Sequence, residues 1–174
     1  MGMAVSMGLS LLGGMASANA QYNEGMANAD AYTYQAQVAK NNAIIANQNT
    51  NWATEFGDVS ATAESMKSAG EIGALKARQG ASGVDVNTGS NADVRAGAER
   101  LAEVNALTVK SNAAREAYGY TVQKSNYTNQ AHLDEVASAD AKQGANTNYW
   151  ATLLGTAGSV AGQYSRWQSV GAGV

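Results

Sequence analysis

The sequence predicts an all-α protein, a long helical hairpin with small-residue-rich apolar terminal helices that closes into an oligomeric ring or tube. Three observations predict it. Proline is absent from all 174 residues, where ordinary usage of about 5 % would give roughly nine. Alanine is the commonest residue at 35, with 19 glycines and a single phenylalanine, so the chain favours helix and lacks the bulk for a thick globular core. A single strong turn signal, QGASGVDVNTGS at 79–90, separates two proline-free arms.

Composition excludes several classes of function. Eleven basic against fourteen acidic residues leave a net charge of −3, without the basic clustering that binding to nucleic-acid phosphates needs. No cysteine is present, which removes disulfides, thiolate nucleophiles and cysteine-held zinc. His132 is the only histidine, so multi-histidine metal sites are excluded as well.

Residues 1–23 carry no charged side chain. Ala18-Asn19-Ala20 has the small-x-small form of a cleavage site, but no Lys or Arg precedes the apolar part, so the segment does not read as a signal peptide. Gly2, Ser6, Ser10, Gly14 and Ala18 recur every fourth position and form one ridge on a helix, a device for close packing on lipid-embedded helices or on protein neighbours.

The domain reading places a long hairpin at 24–142, with its first helix over 27–80. A stripe at seven-residue intervals, Val38, Ile45, Trp52, Val59 and Met66, has companions four residues on at Asn42, Asn49, Phe56 and Ala63. Sustained over several heptads, this spacing predicts a packing seam of Val38, Ile45, Trp52, Phe56, Val59 and Met66, buried on the facing arm or on a neighbouring subunit. Gly57, Gly70 and Gly73 weaken the helix, and a break near Gly70–Gly73 fits the pattern.

In the turn, Gly80, Gly83 and Gly89 with Asp85 and Asn87 supply positions tolerant of positive φ, and Ser90 is placed to cap the next helix. The second arm, 91–142, carries Val94, Leu101, Val104, Leu107, Tyr118, Val122, Leu133 and Val136 at helical spacings. Arms of about 52 residues span roughly 75–80 Å as helix, and a thin hairpin of that kind must cover its remaining faces with copies of itself or other subunits.

Residues 143–165 are again uncharged and continue into an apolar Gly/Ala-rich end, 143–174. Tyr149 and Trp150 stand at one side of the apolar run, Tyr164 and Trp167 at the other, in the manner of an interfacial aromatic belt. Gly158 and Gly162 form a GxxxG pair. From Trp150 to Trp167 a helix covers only about 25 Å, short of the roughly 30 Å hydrocarbon core. The terminal positions Gly2, Ser6, Ser10, Gly14, Trp150, Gly158, Gly162, Tyr164 and Trp167 are therefore candidate membrane or subunit contacts.

No arrangement of residues points to catalysis. His132 and Glu135 lie one turn apart, without a second histidine to complete a metal site. Glu99 with Glu103, and Asp134 with Glu135, are carboxylate pairs on a charged helix face beside Arg95 and Arg100. The Gly-rich turn contains neither phosphate-cradling motif. The chain reads as non-enzymatic, with no cofactor and no metal.

The order of parts carries a resemblance. The first helix contains A-Y-T-Y-Q-A-Q-V-A-K-N-N-A, the turn region reads K-A-R-Q-G-A-S-G-V-D-V-N-T-G-S, and the second helix contains A-L-T-V-K-S-N-A-A-R-E-A-Y-G-Y. Over nearly the whole chain this resembles the internal virion, or ejection, proteins of short-tailed bacteriophages, the smallest of the T7-type set in particular. The resemblance implies a capsid protein held near the portal, with other internal virion, portal or tail proteins as partners. It further implies release at infection into the host cell envelope, and a homo-oligomeric conduit in the outer membrane that passes DNA without sequence-specific contact. One departure is the tail, where Arg166 is the only basic residue after Lys142. Two other readings are a purely structural virion core or adaptor that never meets lipid, and a secretion-type helical translocator.

Overall fold

The structure is a computed structural model describing residues 2–171, with side chains described over 11–166 and at 168. Two helices account for nearly all of it, α1 at Gly2–Ala81 and α2 at Gly89–Gly171, packed as a hairpin with no strand among the described residues. α1 runs unbroken through Gly57, Gly70 and Gly73, because neighbouring alanines and long side chains hold the helix across isolated glycines. Both helices continue into the uncharged terminal segments.

The chain divides into two compact units, one of Met1–Lys40 with Thr128–Val174, the other of Asn41–Tyr127. In the second unit α1 buries Ala46, Ala53, Gly57 and Ala61 with Ser68, and α2 buries Ala117. Gly57 lies so close to Ala113 that a side-chain carbon at 57 would collide with the Ala113 methyl. In the first unit the buried set is Ala18, Ala29, Ala36 and Ala39 from α1 with Ala131, Ser138 and Ala145 from α2. A side-chain carbon added to Gly25 would stand 2.6 Å from the Ala145 methyl, and one added to Gly14 would collide with Thr156. No large side chain among the described residues is fully buried. Each unit is closed by small side chains that bring the two backbones together, so dispersion between main chains replaces the bulk of a leucine-type seam.

The seam expected from the seven-residue stripe is therefore not the one that joins the arms. Val38 is 40 % exposed, Ile45 51 %, Trp52 57 %, Phe56 56 %, Val59 67 % and Met66 70 %. A second line of the same period runs one residue on, through Ala39, Ala46 and Ala53, and this line is buried. Period alone cannot choose between two such lines. Size chooses, because only the small-residue face allows the approach seen at Gly57 and Gly25.

The turn is short. α1 extends through Gly80, which lies in its last turn and accepts a hydrogen bond from the Gly83 N–H at 3.1 Å. The left-handed positions are Gly83, at φ 75°, and Gly89, at φ 65°, where only glycine is unstrained. Between them the Asn87 N–H donates to the Asp85 carboxylate at 2.8 Å, and Arg95 donates to the Asn87 side-chain oxygen at 3.4 Å. The Asn87 bond, with help from Thr88 and Arg95, holds the Asp85 carboxyl below its ordinary range. Ser90 falls inside the first turn of α2, with Gly89 making the entry.

Candidate functional site

Two surfaces are candidates for function, the small-residue seam and the apolar residues that it leaves outside. The seam is polar at one place. In the first unit the Ser138 hydroxyl donates to the Ala29 carbonyl at 2.9 Å, and the Thr33 hydroxyl donates to the same carbonyl at 2.9 Å. The two hydroxyl oxygens stand 2.8 Å apart. Each hydroxyl carries one proton, so two of these three contacts are hydrogen bonds at any moment, a specific lock in an otherwise uniform alanine surface.

Beside this lock, Lys40 and Glu135 form an ion pair across the helices. The lysine's hydrogen bond and charge lower the Glu135 carboxyl below its ordinary value, with a smaller contribution from His132. A carboxyl lowered on folding stabilises the fold above its unfolded value and loses that contribution as pH falls through the folded one. Glu135→Gln should therefore lower the urea midpoint at neutral pH, and the two proteins should converge in acid below the ordinary glutamate range. Parallel curves across that range would remove Glu135 from the linkage.

In the second unit, Lys110 pairs with Asp58 at 3.1 Å and Lys124 donates to the Asn47 side chain at 2.9 Å. Glu99 and Glu103 line an open groove with Ser65, Ala69, Ile72 and Lys110. Among the described residues no group of three or more acidic or histidine side chains is placed to hold a metal ion.

The terminal candidates separate by surroundings. Gly14 and Ala18, from the N-terminal ridge, are taken up by the chain's own seam. Gly158 and Gly162 face open space, with nothing within 4 Å of an added side-chain carbon. Tyr149 packs edge-on to Tyr22 at 5.8 Å and to Trp150 at 5.6 Å. Trp150 is 62 % exposed and Tyr164 50 %. Gly2, Ser6, Ser10 and Trp167 lie outside the described side chains. Among the described residues no helix is long and apolar enough to cross a membrane.

Sequence reasoning missed the alanine line and the Thr33–Ser138 lock. The first was detectable as a small-residue period parallel to the large one. The second needs the pairing of helices that only the fold supplies. No protein-family model, curated protein or solved structure matches the chain.

Proposed function

We propose that this chain is a non-enzymatic assembly protein, an internal virion protein of the short-tailed-phage type. Its hairpins associate into a homo-oligomer that helps genome DNA cross the host cell envelope. The observation that carries the reading is the division of labour within α1. The hairpin closes on alanine and glycine, and the large residues from Ile45 to Met66 are left outside for another molecule. The wall facing DNA would be polar and close to neutral, drawn from the abundant Asn, Gln, Ser and Thr, because a strongly basic wall would hold phosphates and slow their passage.

A structural role that never touches lipid is favoured by one feature. Gly14 and Ala18, two of the five positions of the N-terminal small-residue ridge, already pack inside the chain. Sedimentation under native salt and flotation with lipid vesicles separate the readings. The conduit reading expects an oligomer that floats, and loss of vesicle dye release in Gly158→Leu/Gly162→Leu with assembly retained. An oligomer that stays at the bottom of the gradient replaces it with the structural role. A stable monomer overturns both.

A further inference from the structure

We infer that the outward stripe of α1 in the second unit is the contact between two copies of this chain, α1 against α1. The inference rests on the assembly reading above and names its surface. Ile45, Trp52, Val59 and Met66 follow one another at seven-residue intervals with Phe56 alongside, between about a quarter and a half turn around the helix from the buried Ala53, Gly57 and Ala61. That interval keeps a line of side chains facing a second helix as the two wind around each other. α2 of the same chain covers the alanine and glycine face and leaves the stripe exposed, so a second helix on it would come from another molecule.

Two features select a copy of this chain as the occupant. Residues 41–54 carry no charge, so the Ile45–Trp52 stretch meets its own copy without like charges facing, and exposed Glu55, one helical turn from both Trp52 and Val59, bounds that neutral stretch. The stripe also has the area. Its five residues expose on the order of 600 Å² of apolar surface, reckoning up to about 150 Å² for each half-exposed aromatic, against about 800 Å² from each partner in a standard interface. At its centre Trp52 and Phe56 are stacked, with centroids 5.2 Å apart and planes 12° from parallel. They offer a paired aromatic surface of the residue type that dominates interface energies.

The test is charge exchange in the full chain, followed by sedimentation and circular dichroism. Trp52→Lys/Val59→Lys and Trp52→Glu/Val59→Glu should each keep the helicity of the parent, because both positions lie outside the seam. Each should weaken assembly by at least roughly 30-fold, and mixing the two should restore it. Trp52→Gln/Val59→Gln should weaken assembly without charge, and serves if a charged variant loses helicity. Leu101→Lys/Tyr118→Lys on α2 should assemble as the parent does. If the Lys and Glu variants assemble like the parent, this face is not the contact, although the assembly reading stands. If each fails and the mixture does not recover, the stripe meets something other than itself. Loss of vesicle flotation with assembly unchanged assigns the stripe to lipid instead. A monomeric parent overturns the assembly reading and the inference with it.

Discussion

Gly57→Leu should lower the stability of the hairpin by about 3 kcal/mol, the upper end for overpacking a tight contact. The melting midpoint should fall by roughly 6–12 °C in a chain of this size. Even the first added carbon would collide with the Ala113 methyl, which has no torsion to swing away. Leucine adds three more carbons, and the helices must part locally to admit them. Gly70 supplies the control. It is also helical, but open space surrounds the position of its missing side chain. Gly70→Ala should gain about 0.5–1 kcal/mol by helix propensity alone. Two glycines of one helix thus respond with opposite signs, and thermal melts of both variants check it. A Gly57→Leu protein melting with the parent would mean that the close approach at 57 is absent in solution.

The second large effect lies at the polar lock. Ala29 is fully buried, and its carbonyl receives both the Ser138 and Thr33 hydroxyls. Ala29→Leu should cost about 3 kcal/mol, from overpacking and from displacing the Ser138 donor. Ser138→Ala alone should cost about 1 kcal/mol, since Thr33 still serves the carbonyl. The costs should not add in the double variant, because Ser138→Ala removes the hydroxyl that the larger side chain at position 29 would displace. Additive urea-denaturation energies would show that the residues do not meet.

The all-helical fold and the hairpin were legible because proline is absent and the turn residues cluster at one place. Gly83 and Gly89 take the left-handed conformation that the turn chemistry demanded. The seam was less legible. Hydrophobic periodicity ranks residues by transfer energy, and on that scale Trp52 and Ile45 outrank any alanine. Close helix approach ranks them by size, and on that scale Ala46, Ala53 and Gly57 win. The Thr33–Ser138 lock was not legible at all, since it joins residues 105 positions apart whose pairing depends on the register of the arms. For the same reason Lys40 and Glu135 could be read only as separate surface charges.

The alanine seam also shapes how stability varies with temperature. Heat capacity rises on unfolding chiefly through newly wetted apolar surface, at about 0.45 cal/mol/K per Å². A seam of methyl groups releases little such surface, and the large apolar residues outside it are already wet in the single hairpin. The free-energy curve of the lone hairpin should therefore be shallow, with weak curvature and no pronounced optimum. Alanine also has no side-chain rotamers to free on opening. Enclosing the outer residues between copies would add the missing heat-capacity change, so cold weakens the association between molecules more than the pairing of helices within each one.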